Sequence, residues 1–307
     1  MKLDATIKFK FLTIVLAIPL VYVGFQDSIG LFFPILILAT LGIPHGATDH
    51  LVHQYNEGKA LHKTPWSFYT KYLSYIAFFL ILWIVTPSIT LLAFLGLSAY
   101  HFGQTQLAYW TIKNKLARHT AYLSWGAAVL IMIFGFHLNE VAELLAPFEL
   151  LAPIFNPELQ STYFLLTGLL VLAFNSMLIT HRQNKEKWIG PQVLENVEFL
   201  VLALVFSQNG LLISFCLFFG FWHSLKAFYT EWSAMKEAHP EVTLGKLAIQ
   251  AIPYTLISFV GIGLAVWAYT LVNVSFSPLV LIIIMISLIS FPHILLFDQF
   301  YQKIHKS

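Results

Sequence analysis

The chain has 307 residues, of which 58% are hydrophobic and only 10% are charged. Because about a quarter of the residues in a soluble domain are charged, this composition excludes an ordinary water-soluble enzyme and indicates a protein that crosses a membrane several times. The formal net charge is only +2, and no nucleic-acid partner is expected. The single cysteine, Cys216, excludes a disulfide framework and a CxxC metal site.

Apolar windows of about 20 residues predict the transmembrane helices. Short connections separate these windows, and no soluble domain is evident. We therefore expect an all-α, polytopic transmembrane helical bundle of about ten spans, in which residues 1–307 form a single integral membrane domain. In chain order the predicted spans are 10–25, 29–50, 68–86, 88–110, 119–138, 161–180, 191–207, 210–230, 247–272 and 276–300.

The lysines and arginines predict the orientation of these spans. With ten spans, every Lys and Arg lies on the side of the two termini. The opposite side carries only acids among its charged residues, namely Asp27, Glu140, Glu143, Glu149 and Glu158. The positive-inside rule then places both termini in the cytoplasm, as expected for a multi-pass protein of the cell (inner) membrane. Lys71 and Lys226 are expected at span ends, where long side chains reach the interface.

Four histidines lie deep inside four predicted spans that run in the same direction: His45, His101, His223 and His293. Each follows the outer start of its span by a distance of about 20–24 Å along the helix. An unpaired polar group in hydrocarbon costs several kcal/mol, so four imidazoles at one depth indicate a shared polar partner. A metal ion is the simplest one, and an all-histidine set with an open position suits Fe(II) and O₂ activation.

The second predicted span ends with the sequence GIPHGATDH, in which Pro44 is expected to loosen the helix beside His45. Asp49 follows His45 by four residues and so lies on the same helical face. We expect this carboxylate to orient a ligand imidazole through its second nitrogen. His50 is an alternative ligand.

The other predicted neighbours of the histidines are a polar side chain and several aromatic rings. Gln104 shares a helical face with His101 and is the second expected partner of a ligand imidazole. Pro292 is expected to break the last span. Aromatic rings beside the histidines suit a long, flat, apolar substrate; the predicted lining residues are Tyr100, Phe102, Trp222 and Phe291. The histidines outside the predicted site are expected at solvent or the membrane interface, among them His119, His137, His181, His239 and His305.

The phrases PHGATDH (44–50), YHFGQ (100–104), FWHS (221–224) and FPHILL (291–296) resemble the Brp/Blh family of membrane β-carotene 15,15'-dioxygenases. The resemblance runs from the second to the tenth predicted span. It implies Fe(II)-dependent cleavage of the central double bond of lipid-dissolved β-carotene by O₂, which gives two molecules of all-trans-retinal. A retinal-binding opsin is a candidate recipient of the product.

The resemblance also implies which residues hold the iron. His45, His101 and His223 match the family's proposed ligands, and no catalytic residue is expected beyond the ligands. The family pattern has a further histidine four residues after the third, where this chain has Ala227. His293 is therefore predicted as the fourth ligand from its depth, with His50 as the second choice, and a three-histidine site stays open.

Two other interpretations stay open. The first is a membrane di-iron desaturase or hydroxylase of lipids, for which dense HxxxH and HxxHH boxes are typical; this chain has only HLVH at 50–53. The second is a haem-binding or transport protein that uses buried histidines. Haem binding would require histidine pairs across helices, and a transporter would require charged residues in mid-span, of which the sequence shows few.

Overall fold

A computed structural model of the chain describes residues 10–16, 32–59, 64–181, 189–272 and 276–305. Every element of regular structure longer than one residue in these ranges is a helix, which confirms the predicted all-α class. Parts of the first two predicted spans, 17–25 and 29–31, lie outside the described residues. So do several charges used for the orientation, namely Lys2, Lys8, Asp27, Lys63, Arg182, Lys185, Lys187 and Lys306.

The described helices follow one another with short connections. Residues 10–16 form α1. The next helical stretch consists of α2 (Phe32–Ile37), a π-helical segment (Leu38–Gly42), α3 (Ile43–Gly46) and α4 (Asp49–Asn56). The later helices are α5 (Trp66–Val85), α6 (Pro87–Gln106), α7 (Lys115–Phe136), α8 (Leu138–Leu144), α9 (Gln160–His181), α10 (Ile189–Gln208), α11 (Leu211–Leu217), α12 (Leu225–Ala238), α13 (Leu244–Leu271) and α14 (Pro278–Ile304). A second π-helical segment, Phe218–Ser224, joins α11 to α12.

Eight helical stretches within the described residues are long and apolar enough to cross a membrane. They are Phe32–Asn56, Trp66–Val85, Lys115–Phe136, Pro157–His181, Gly190–Gln208, Leu211–Ala238, Leu244–Leu271 and Pro278–Ile304. These correspond to predicted spans two, three and five to ten. The predicted fourth span is present as the 20-residue helix α6, but its polar C-terminal half makes it less apolar than the other eight.

The chain divides into two compact units, and each is described by itself. The first unit comprises Met1–Gly42, Ser98–Val141 and Asn156–Thr230. Its centre is α7, which packs along α9 and against α10 and α11. Trp125 of α7 is buried, with its ring centroid 5.4 Å from that of Phe199 in α10. The core of this unit is therefore built from the apolar faces of long helices.

Two glycines bring α6 and α7 into backbone contact. A Cβ atom at Gly103 would lie 1.8 Å from the carbonyl oxygen of Tyr122, and one at Gly126 would lie 1.7 Å from the carbonyl oxygen of Ala99. Small residues at such crossings let helix backbones approach closely where hydrophobic burial supplies little driving force. Gly103 thus lets the backbone of α7 approach α6 two residues after His101.

Lys226 in α12 differs from its predicted position. Its side chain is only 4% exposed, and its Nζ atom donates to the carbonyl oxygen of Gln106 at 2.6 Å. The prediction that this lysine reaches the membrane interface is therefore wrong, because a carbonyl group within the first unit binds the amine instead. Lys71, for which the same was predicted, is exposed.

The second unit comprises Ile43–Leu97, Ala142–Phe155 and Glu231–Ser307. In this unit α14 packs against α5, α4 and α13. The indole nitrogen of Trp83 donates to the hydroxyl oxygen of Ser287 at 2.7 Å, which joins α5 to α14. A hydrogen bond between helices in a membrane contributes roughly 0.6–2 kcal/mol.

The prediction that Pro292 breaks the last span is wrong. Helix α14 continues through this proline without interruption. Proline removes one backbone donor and frees carbonyl groups in the preceding turn, but neighbouring side chains can satisfy them within a membrane helix. The Tyr72 hydroxyl lies 3.3 Å from the carbonyl oxygen of Ile289, three residues before the proline.

Candidate metal-binding histidines

His45 lies in α3, a single helical turn within the second unit. The turn follows the π-helical segment directly, and a two-residue bend at Ala47–Thr48 separates it from α4. The interruption predicted around Pro44 is therefore present. π-Helical turns occur frequently at functional sites because the extra residue redirects side chains.

A carboxylate that the sequence analysis missed lies beside His45. Glu231 Oε1 is 2.8 Å from His45 Nδ1, and Glu231 Oε2 is 2.6 Å from the Thr48 hydroxyl. The Thr48 hydroxyl also lies 2.8 Å from the His45 carbonyl oxygen. Glu231 is completely buried. In the sequence, this residue is a single acid among aromatic side chains in FYTEW, a pattern that predicts a buried partner for a polar group.

Asp49 orients a different histidine from the one expected. Asp49 Oδ1 is 2.7 Å from His293 Nδ1, and Asp49 Oδ2 accepts a hydrogen bond from the Tyr72 hydroxyl at 2.7 Å. The expected partner was His45, four residues earlier. The bend at Ala47–Thr48 breaks the regular helical relationship between His45 and Asp49, so helical spacing does not predict which imidazole the carboxylate meets.

The two histidines of the second unit lie against each other. The ring centroids of His45 and His293 are 4.7 Å apart, with an interplanar angle of 89°. Phe297 covers both rings, at 5.4 Å from His45 and 4.3 Å from His293. The pair is buried, and each imidazole has a carboxylate at Nδ1. The predicted proximity of these two histidines is found, although 248 residues separate them in the chain.

The other two histidines form a similar pair in the first unit. His101 in α6 and His223 in the second π-helical segment have ring centroids 4.9 Å apart at an angle of 72°. Both are buried. Within the π segment, the Ser224 hydroxyl donates to the carbonyl oxygen of Phe219 at 2.8 Å, five residues earlier. This bond satisfies a carbonyl group that a regular α-helix would pair differently.

The predicted lining residues lie in different surroundings. Phe102 packs edge-to-face on His223 at 4.7 Å. Trp222 is buried. Tyr100 places its hydroxyl 2.8 Å from His119 Nδ1, so it is directed at a histidine outside the predicted set. In the second unit, Phe291 stacks on Phe79 at 4.6 Å.

The structure also describes Gln104 and His50, which were predicted as a partner of His101 and as an alternative metal ligand. Gln104, expected as a partner for His101, is buried in the first unit. His50, the alternative ligand, lies in the second unit with its ring 4.3 Å from that of Tyr254. The roles of Gln104 as a partner of His101 and of His50 as a ligand stay predictions.

His137 is a buried histidine whose two ring nitrogens both contact protein groups. Its Nδ1 atom lies 3.1 Å from Glu140 Oε1, and its Nε2 atom lies 3.2 Å from the Ser214 hydroxyl. The side chain is buried within the first unit, which corrects the expectation of a solvent or interface position. Burial lowers the pKa of His137, and the neighbouring Glu140 partly opposes that shift. Because protein groups engage both ring nitrogens, this histidine offers no atom for a metal ion.

Comparison with known proteins then gives the family. A family model described as Beta-carotene 15,15'-dioxygenase matches residues 36–301, which is most of the chain. The chain belongs to the β-carotene 15,15'-dioxygenase family. The matched range includes all four histidines predicted as ligands, as well as Glu231 and Asp49. Comparisons with curated proteins and with solved structures gave no match.

Membership of the β-carotene 15,15'-dioxygenase family confirms the resemblance based on the four short phrases. It gives the chain an oxidoreductase class and a carotenoid substrate at the level of the family. Ala227 is a fully buried residue of α12, and its methyl group can supply no metal ligand.

Proposed function

We propose that the protein cleaves the central double bond of β-carotene with O₂ to form two molecules of all-trans-retinal, and that it uses Fe(II) held by His45, His101, His223 and His293. The family match over residues 36–301 carries this proposal. The alternative interpretations, a lipid desaturase or a haem or transport protein, receive no comparable support. The four predicted ligands occur as two buried pairs, one in each unit.

The donor atoms suit such a metal ion. Metal-bound histidines in proteins usually donate their second ring N–H to a carboxylate or carbonyl group, which fixes the tautomer and the ring orientation. Glu231 and Asp49 occupy that position at Nδ1 of His45 and His293. In this tautomer Nε2 carries the lone pair of each ring, so Nε2 is the atom proposed to bind the metal.

The reaction requires no further reductant and no proton donor. Both oxygen atoms of O₂ end in the two aldehyde groups, and the central C=C bond is the bond that breaks. When bound, Fe(II) would supply the activation of O₂ beside the polyene. The buried carboxylates orient the imidazoles, and the aromatic residues around them exclude water.

β-Carotene dissolves in the lipid phase, so the substrate is proposed to enter laterally between helices, and retinal to leave the same way or to pass to an opsin. Phe219 stacks on the ring of His223, and Phe102 packs against the same ring edge-to-face, so aromatic hydrocarbon lies beside this histidine. Such rings suit a conjugated hydrocarbon, which offers no group for hydrogen bonding.

The substitution His101→Ala tests the proposal in bacterial cells that accumulate β-carotene. The wild-type chain should bleach the orange colour and produce retinal, whereas the variant should leave β-carotene uncleaved while still entering the membrane. His137→Gln is a matched control, because it also alters a buried histidine of the first unit but one whose ring nitrogens are both engaged. Retinal at the wild-type yield from His101→Ala would contradict the ligand assignment. Unchanged β-carotene with the wild-type chain would contradict the activity.

A further inference from the structure

The first unit contains a group of buried charges apart from the histidines. Lys10, Glu195, Glu198 and Lys226 are all less than 5% exposed, and together with Gln106 they form what we name the ionic cluster. Lys10 Nζ lies 2.8 Å from Glu195 Oε1 and also pairs with Glu198. Buried charges destabilise a protein unless they are paired and hydrogen-bonded. Four of them in one place therefore indicate a structural or functional role.

One contact of the cluster involves the end of the helix that carries His101. Helix α6 ends at Gln106, and the carbonyl oxygen of that residue accepts a hydrogen bond from Lys226 Nζ at 2.6 Å. The last carbonyl groups of a helix have no intrahelical donor, and a positive charge there is favoured by the helix dipole. Lys226 therefore caps α6.

The same lysine belongs to the helical stretch that carries the other histidine of the pair. Lys226 follows His223 by three residues, or about 4.5 Å of helical rise, and Gln106 follows His101 by five residues, or about 7.5 Å. A single hydrogen bond thus joins the two histidine-bearing helices close to the point where their imidazole rings meet.

The end of α6 is also held by α10. Gln106 Nε2 donates to Glu195 Oε2 at 2.9 Å. Beyond the helix, the indole nitrogen of Trp110 donates to Glu195 Oε1 at 3.2 Å, and the Tyr109 hydroxyl donates to the same oxygen. One carboxylate thus binds the last residue of α6 and two residues of the segment that follows it.

From these contacts we infer that Lys226 is a positioning residue that sets the separation of His101 and His223. The inference rests on the proposed function, in which these two histidines bind one metal ion. In this role Lys226 acts on the two imidazoles through the helical stretches that carry them. It fixes the end of α6 against the stretch that carries His223, while Glu195 prevents the end of α6 from moving away.

The test uses Co(II) alone as a probe of the site in the purified full-length chain, together with thermal unfolding of the metal-free protein. Lys226→Met keeps most of the side-chain volume and removes the cap. Loss of a group that orients a ligand commonly weakens metal binding by about 10–100-fold, and we expect a loss in Co(II) affinity of that size and an altered Co(II) absorption spectrum.

Lys303→Met is the matched control. Lys303 also donates through Nζ to a carbonyl group near a helix end, that of Tyr55 in α4, but it belongs to the second unit and lies ten residues from His293. We expect this variant to unfold at a lower temperature with unchanged Co(II) affinity. An equal Co(II) affinity of Lys226→Met and the wild-type chain would overturn the inference.

A second variant addresses the charge that Lys226→Met leaves without a partner. Lys226→Met combined with Glu198→Gln retains Lys10 opposite Glu195 and so keeps the ionic cluster balanced. This double variant should fold and still bind Co(II) more weakly than Glu198→Gln alone, whereas equal affinities would contradict a positioning role. Failure of the wild-type chain to bind Co(II) would instead reject the proposed metal site itself, which separates the two claims.

Discussion

At the scale of single residues, the buried carboxylates explain how imidazoles can be held in an apolar interior. Glu231 lies against Nδ1 of His45, and Asp49 lies against Nδ1 of His293. Thr48 and Tyr72 hold the second oxygen of each carboxylate. These contacts hold each imidazole in one orientation before any ligand binds.

The substitution Glu231→Gln tests this role. It preserves the size of the side chain but removes the charge that favours the Nδ1–H tautomer of His45, so we expect Fe(II) affinity to fall by about 10–100-fold. Metal content after dialysis against a chelator measures the effect. Glu57→Gln, at a side chain that is 49% exposed and paired only with Lys59, should retain the wild-type content. Equal metal content in both variants would show that Glu231 does not orient a ligand.

At the scale of the elements, glycine determines how α6 reaches α7. The backbone of Gly103 lies against the carbonyl group of Tyr122, so the helix that carries His101 has no room for a Cβ atom at this point. By contrast, no atom lies within 4 Å of a Cβ placed at Gly96 in the same helix. The two positions make a matched pair for substitution.

We expect Gly103→Ala to separate α6 from α7, with a large fall in the thermal unfolding temperature and in the yield of folded protein. Gly96→Ala should be neutral or stabilising by up to about 1 kcal/mol, because alanine is the better helix former. Thermal unfolding in detergent compares the two. A Gly103→Ala protein as stable as Gly96→Ala would mean that the helices do not pack through this glycine.

The sequence predicts the helices well and their irregularities poorly. Long apolar windows gave α5, α7, α9, α10 and α13 to within a few residues, since length and composition decide whether a helix can span a membrane. The two π-helical segments depend on one extra residue in a turn and have no compositional mark. For that reason the sequence could place His45 and His223 within long apolar stretches, but it could not predict the direction of their rings.

Contacts between residues that are distant in the chain could not be predicted from the sequence either. Glu231, Asp49 and Lys226 contact residues that are distant in the chain, namely His45, His293 and Gln106. Residue spacing along one helix could therefore not predict these contacts. The sequence does show that each of these charged residues lies within or beside an apolar stretch. Such a residue requires a partner, but its identity depends on which helices pack together.

At the scale of the whole molecule, the distribution of lysine and arginine predicts that both termini lie in the cytoplasm. A fluorescent protein fused to the C-terminus should therefore fluoresce. Alkaline phosphatase inserted in the connection 139–160 should be active, because that enzyme requires export. Phosphatase activity from a C-terminal fusion, or none from the inserted copy, would contradict the predicted orientation.

The central claim is an Fe(II)-dependent cleavage of β-carotene at its central bond. The most direct measurement is the amount of retinal formed per β-carotene consumed by the purified chain in detergent, first after removal of metal with a chelator and then after addition of Fe(II). The account predicts two molecules of retinal for each β-carotene, loss of the activity on chelation and recovery with Fe(II). Retinal formation that is insensitive to chelation, or aldehydes of other chain lengths, would contradict it.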